Sequence, residues 1–352
     1  MEAYLFSTLI LIFLALISER ISVLTNKRYF FVTLSCIYLI LFSGLRDVSV
    51  GDDTIAYMLK YDEISDITWK QLWDMLYYHY IGTNEIKAPG YFLFQKVAKV
   101  FFPSYQLYLL FIAFIFTYQL SRFICRESSF PLVSFIIYLC LFFEFFGVTG
   151  HRQTVATAIT ILFGYNYIKE RRLFSFLLLI LIASTLHKTV FILVPFYFIA
   201  RFKRTRSYTP LILVLFITMF ILKDLMFQIL AMVGGYEQYS ELESRGAYTF
   251  SVFYVAVVCI YFWFYPRILK NRPTADITLN ALWFGLIFVP LIFVNPFVMR
   301  IVQYFSLFII LAIPDLIKCL NNESKPLAYF SCIILLTFLL YQKKYHYILM
   351  QI

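Results

Sequence analysis

Apolar runs long enough to cross a bilayer recur from one end of this chain to the other. A helical span needs about 20 apolar residues to cross about 30 Å of hydrocarbon. Runs of this kind fall at 3–18, 29–45, 105–121, 129–147, 153–168, 173–186, 189–200, 208–224, 250–266, 275–294, 299–317 and 326–342. Inside lipid every backbone polar group must be satisfied within the protein, so only helices or closed barrels can span. Barrel strands alternate apolar and polar residues, and these runs are continuous. The expected fold is therefore an all-α polytopic membrane protein with about 12 transmembrane helices in one integral membrane domain, 1–352. Only 14% of its residues are charged, against about 25% in soluble domains. The first run ends in Ser18-Glu19-Arg20, without a small-residue cleavage site, and reads as a retained span.

The net charge of +10 does not point to nucleic acid. Basic residues cluster in short loops: Arg20/Lys27/Arg28, Arg122/Arg126, Lys169/Arg171/Arg172, Arg201/Lys203/Arg204/Arg206, Arg267/Lys270/Arg272 and Lys318/Lys325. Short loops rich in Lys and Arg face the cytoplasm. That rule requires 173–200 to fold back at His187-Lys188, and 275–317 to fold back at Asn295-Pro296, where proline also breaks a helix. Residues 147–150 open the run 129–168 in the same way. The long loops 46–88 and 225–249 then lie on the opposite side, together with three short hairpin tips. Residues 88–102, with Lys96 and Lys99, read as a re-entrant or interfacial helix. Six cysteines without C-x-x-C spacing read as buried thiols, and four scattered histidines give no metal-ligand spacing, so neither a metal nor a cofactor is expected.

Ionisable groups near membrane depth point to function. Arg46, Arg152 and Arg300 fall on the non-cytoplasmic side, and paired guanidinium donors suit phosphate oxygens. Snorkelling to lipid head groups is the plainer reading of each one alone. Asp52 and Asp53 follow Gly51; either can cap a helix or accept a proton from a sugar hydroxyl. Asp47 reads as a local partner of Arg46. His187, beside Lys188, is either a packing residue or a phosphate ligand or proton shuttle, and His151 carries the same two readings. Tyr57, Arg245 and Tyr304 complete the candidate set. Trp69 and Trp73 on an amphipathic helix read as interfacial packing. No Walker, nucleophile-elbow or zincin motif is present.

These residues resemble a family. Arg46, Val50-Gly51, Asp53-Thr54 and Tyr57 look like the first-loop signature of EpsG-like proteins, among the Wzy-type bacterial polysaccharide polymerases. His151–Ala156 (HRQTVA), Leu186–Leu193 (LHKTVFIL) and Arg300–Phe305 (RIVQYF) are similar to its later motifs, in the same order. The chain departs from the pattern in its Asp52-Asp53 pair and in Lys188. The resemblance implies an architecture like the class C glycosyltransferases, with a periplasmic-face cavity. It implies a multi-pass protein of the bacterial inner membrane that joins undecaprenyl-pyrophosphate-linked oligosaccharides at the periplasmic face, in O-antigen, capsular or exopolysaccharide synthesis, and releases the lipid pyrophosphate. Arg46, Arg152 and Arg300 would stabilise the leaving group, and Asp52 or Asp53 would serve as base. Membrane lipids and a chain-length regulator are the expected partners. Two other functions use the same lipid. A flippase would favour pseudo-symmetric halves, and no repeat is found. A ligase or acyltransferase would pass the glycan, or an acyl group, to a different acceptor.

Overall fold

A computed structural model describes residues 2–21, 26–51, 53–81, 88–203, 208–234 and 248–342. The described residues are mostly helical, with no strand among them. They fall into two compact units, Met1–Gly164 with Leu181–Lys188 and Tyr329–Ile352, and Tyr165–Ile180 with Thr189–Ala328.

The first unit begins with α1 (Glu2–Arg20) and α2 (Lys27–Gly44), which starts at Asn26, whose side chain accepts from the Tyr29 amide. The expected loop 46–88 carries α3 (Thr54–Glu63) and α4 (Trp69–Ile81) and leads to α5 (Pro89–Phe101). Then come α6 (Tyr105–Glu127) and α7 (Pro131–Leu141). A wide π-helical turn over Glu144–Thr149, α8 (His151–Thr157) and a second π turn over Ala158–Phe163 complete it. The chain doubles back at Gly150, since Thr154 Oγ1 lies 3.1 Å from the Phe146 carbonyl, eight residues earlier. Such π turns widen a helix and occur often at functional sites. Lys96 and Lys99, the polar interruptions in 88–102, reach the C-terminal end of α3: Lys99 Nζ donates to Tyr61 O (2.6 Å) and Asp62 O (3.0 Å), and Lys96 Nζ to Ile64, Ser65 and Ile67 carbonyls. Cations at a helix C-terminus satisfy its orphan carbonyls and its dipole.

The second unit takes in α9 (Tyr165–Lys169), most of α10 (Leu173–Leu186), α11 (Leu193–Ile199), α12 (Thr209–Ile221), α13 (Lys223–Gly234) and α14 (Tyr248–Asn271). It ends with α15 (Ala275–Ile292), α16 (Met299–Ser306), α17 (Ile309–Lys318) and the start of α18 (Ser324–Gln342). α15 is its centre and is buried along almost its whole length. Two of the expected reversals are visible here. Phe176 stacks on Tyr197 at 5.1 Å and Arg201 donates to the Lys169 carbonyl, so the chain folds back at His187. Phe284 meets Phe305 at 4.9 Å, so it folds back at Asn295 as well.

The span count differs from the apolar-run count. Among the described residues six helices are long and apolar enough to cross a membrane, or up to eight if the bent pairs α12/α13 and α16/α17 each count as one span. The runs 129–147, 153–168, 173–186 and 189–200 form shorter pieces; α7, with 11 residues, is ~16 Å long, short of a bilayer core. Apolar length sets burial, but helix breaks set how far one piece reaches. Within 225–249, α13 occupies the beginning, and 235–247 lie outside the described residues. Cys36, Cys125 and Cys140 are buried as expected; Cys319 and Cys332 are partly exposed, and Cys259 is exposed on the long apolar helix α14.

Candidate active site

The first-loop motif and the HRQTVA motif meet in the first unit. Gly51 makes the turn inside the first-loop motif possible. Its φ is +99°, open to glycine and strained for other residues. A Cβ there would lie 2.7 Å from Val148 Cγ1, so the turn packs directly on the segment leading into α8. Thr54 locks the turn from inside, its Oγ1 donating to the Val50 carbonyl at 2.7 Å. α3 then projects Thr54, Tyr57 and Tyr61 from one buried face.

Arg46 lies one residue beyond the C-cap of α2 and is only 1% exposed. Nη1 donates to Ser43 O (2.5 Å), in the last turn of α2. Nη2 donates to Val148 O (2.9 Å), in the first π turn, and to His151 Nε2 (2.8 Å). The guanidinium thus joins the C-terminal ends of two helical segments, where a cation is favoured. Arginine has no acceptor, so Nε2 accepts and the His151 proton sits on Nδ1. His151 precedes the run 153–168. Burial, then the Arg46 charge, hold its pKa well below the usual histidine value, and the imidazole is neutral.

The His151 ring stacks on Tyr57 at 4.6 Å and 21°. Arg152 reaches the same tyrosine: Nε donates to the Tyr57 hydroxyl at 3.4 Å, and the guanidinium carbon lies 5.9 Å from the ring centroid. Arg46 and His151 are buried and Arg152 is half-buried, so the order Arg46, His151, Tyr57, Arg152 leads from a committed arginine to an accessible one. Tyr91 closes the Tyr57 side edge-on at 5.8 Å, and its hydroxyl accepts from Tyr108 at 2.9 Å. Burial, then the Asp62 charge, raise the Tyr61 hydroxyl to about 12, so it is a hydrogen-bond donor, here to Phe102 O at 2.5 Å.

Asp53 occupies the N-cap position of α3, makes no capping hydrogen bond and is exposed. Asp47 accepts from the Ser49 amide (2.9 Å) and hydroxyl (2.6 Å), which lower its pKa; its partner is Ser49, not Arg46 as expected. Glu144 accepts from the Tyr4 hydroxyl at 2.6 Å. His187 follows α10 and is half-buried, and Lys188, the first residue of a short 3₁₀ turn, is exposed. Both belong to the first unit. Their segment touches α5, where any side chain at Gly90 would collide with Thr185. Arg300 and Tyr304 belong to the second unit. Arg300 is half-buried over Phe297, 4.8 Å from the ring centroid, and Tyr304 is fully buried with its hydroxyl 3.1 Å from Thr189 Oγ1. Asp52 and Arg245 lie outside the described residues.

Tyr91, Tyr108 and the carbonyls of Ser43 and Val148 are site components that the sequence reading missed. Tyr91 follows the Pro89-Gly90 pair, the one local signal that could have drawn notice; a carbonyl leaves no signature at all.

These features define a multi-pass helical membrane protein with an Arg–His–Tyr–Arg relay built from two sequence motifs. Residues 29–350 match the EpsG family, and the chain belongs to that family. Membership suggests a function of the polysaccharide polymerase type. No curated protein and no solved structure matches the chain.

Proposed function

We propose that this protein joins undecaprenyl-pyrophosphate-linked oligosaccharide units at the periplasmic face of a bacterial inner membrane. The observation that carries the reading is the relay: two motifs separated by about a hundred residues of sequence present one half-buried arginine, Arg152, on a prepared tyrosine. In the reaction a hydroxyl of one unit attacks the anomeric carbon of the growing chain. The bond from that carbon to the pyrophosphate oxygen breaks, and lipid pyrophosphate leaves. Arg152 binds the departing charge, which needs donors already in place. Arg300 serves as a second phosphate-binding cation, beside Tyr304. Asp53 accepts the hydroxyl proton, a role for which Asp52 is equally suited. His187, with Lys188, shuttles a proton or binds phosphate, and Arg245 contacts substrate. Arg46, whose two terminal nitrogens bond Ser43, Val148 and His151, places Tyr57 and Arg152 through His151 beside the leaving pyrophosphate. A chain-length regulator would act with it.

Purified protein in liposomes, supplied with lipid-linked repeat units, tests the reading. Growing ladders are expected, and Arg152→Ala should lower the rate by about 10²–10³ with an unchanged melting temperature. Transfer to a different acceptor would identify a ligase, and movement between leaflets without ladders a flippase. Wild-type ladder lengths in Arg152→Ala would remove Arg152 from the chemistry.

A further inference from the structure

Helices α4 and α5 have 13 residues each. At ~20 Å they are too short to cross a bilayer core of about 30 Å. Yet both expose large apolar side chains. On α4, Trp69, Trp73 and Tyr77 recur every fourth residue and are 49%, 64% and 61% exposed. On α5, Val97, Val100 and Phe101 share a face and are 45%, 70% and 71% exposed. The opposite face of α5, with Tyr91, Gln95 and Ala98, is buried. The two exposed sets border one seam: Lys96 lies 5.6 Å from the Trp69 ring centroid, and Val100 follows Lys96 one turn later.

Chain connectivity fixes the depth of this surface. α5 ends at Phe101 and α6 starts at Tyr105, a link that extends at most ~14 Å. The side-chain amide of Gln106 donates to the carbonyls of Gly44 and Arg46, so the start of α6 and the end of α2 are level. Both α2 and α6 are long and apolar enough to span. The exposed end of α5 therefore sits at the boundary where two spans emerge.

We propose that α4 and α5 lie in the plane of the membrane and insert these six side chains into the head-group and upper acyl region of the outer leaflet. Lipid is the occupant because the surface continues from the spans and pairs tryptophan and tyrosine rings with aliphatic side chains. Amphipathic rings favour that boundary, whereas valine and phenylalanine offer sugar hydroxyls no hydrogen bond. α5 is fastened to α3 by Lys96 and Lys99 through carbonyls at the end of that helix, so the insertion sets the depth of Tyr57 and Asp53.

The test uses the full chain in nanodiscs and does not depend on the polymerase reading. The chain has 4 tryptophans; with Trp263→Phe and Trp283→Phe, only Trp69 and Trp73 fluoresce. Lipids brominated near the carbonyl end of the acyl chain should quench them more strongly than lipids brominated near the terminal methyl. Acrylamide in the aqueous phase should quench them less than free tryptophan. Trp283 is buried, so a difference experiment guards against misfolding. In the native background, Trp69→Phe with Trp73→Phe should remove the shallow-bromine component. Insensitivity to brominated lipid with full acrylamide access would overturn the proposal, as would protection by added oligosaccharide or quenching that is strongest at deep bromines.

Discussion

Arg46 and Arg272 are both arginines withdrawn from water, and the two units hold them by different chemistry. Arg46 donates to two helix-end carbonyls and an imidazole that is kept neutral. Arg272 faces a carboxylate: Nη2 lies 3.1 Å from Asp315 Oδ2, with the two side chains 11% and 2% exposed. Tyr261 donates to the same oxygen at 3.2 Å, and Arg272 also donates to the Thr278 hydroxyl. An ion pair of this kind cancels its own field and ties α14 to α17. An arginine held by dipoles can instead orient what stacks beyond it. The first arrangement answers to stability, the second to the placement of Tyr57 and Arg152.

The comparison breaks most sharply at the ion pair. Arg272→Ala leaves Asp315 buried without its cation, and losing one partner of a buried pair costs about 3–5 kcal/mol. The variant should lose most folded protein in detergent, measured by size-exclusion chromatography and a melting curve. Replacing both groups, Arg272→Met with Asp315→Leu, should restore most of it, because an apolar pair of similar volume is often neutral or stabilising. If the double variant folds no better than the single, the pair is more than a cancelled charge, and the contrast with Arg46 weakens.

The dipole-held arginine should reveal itself through pH. His151 has a folded pKa below the ordinary 6.5 because it is buried beside Arg46. The unfolded chain therefore binds the proton first. Stability from this group is fully present above about 6.5 and is lost as pH falls from there toward the folded value, by at most about 1.4 kcal/mol per pH unit. His151→Gln keeps an acceptor for Arg46 but cannot titrate. Its melting temperature should fall less than that of the wild type between pH 7 and pH 5. Parallel curves would mean that His151 takes up its proton in the folded chain as readily as in the unfolded one, which its burial beside Arg46 does not permit.

Much of this was legible in the sequence, and the physical reason is periodicity and punctuation. Apolar runs marked the helices, and Pro296 and His187 marked reversals later seen in the Phe284–Phe305 and Phe176–Tyr197 pairs. The four motifs that suggested the family all lie within the matched residues 29–350. The role of Arg46 was not legible, because its partners include carbonyls, which every residue carries. Arg272 looked like one more charge in a basic loop, because Asp315 lies far along the chain inside an apolar run. Lys96 and Lys99 looked like blemishes in an apolar piece; their targets are the carbonyls at the end of α3. Sequence shows which groups need a partner, but distant pairings and backbone partners emerge only on folding.

Gln95 offers the gentlest way to sharpen the contrast, since it is a buried polar side chain held in neither manner. It is fully buried on α5, and its amide nitrogen and oxygen make no hydrogen bond with the described residues. An unpaired buried polar group costs about 1–3 kcal/mol, and neither a carboxylate nor a helix end offsets that here. Gln95→Met keeps much of the shape and removes both polar atoms. The expected result is a gain of about 1 kcal/mol in stability, measured as a higher melting temperature in the same detergent, with the ladder-forming rate unchanged. A fall in melting temperature would show that the amide has a stabilising partner in the membrane-embedded protein, and would place Gln95 with Arg272, as a group whose loss strands another.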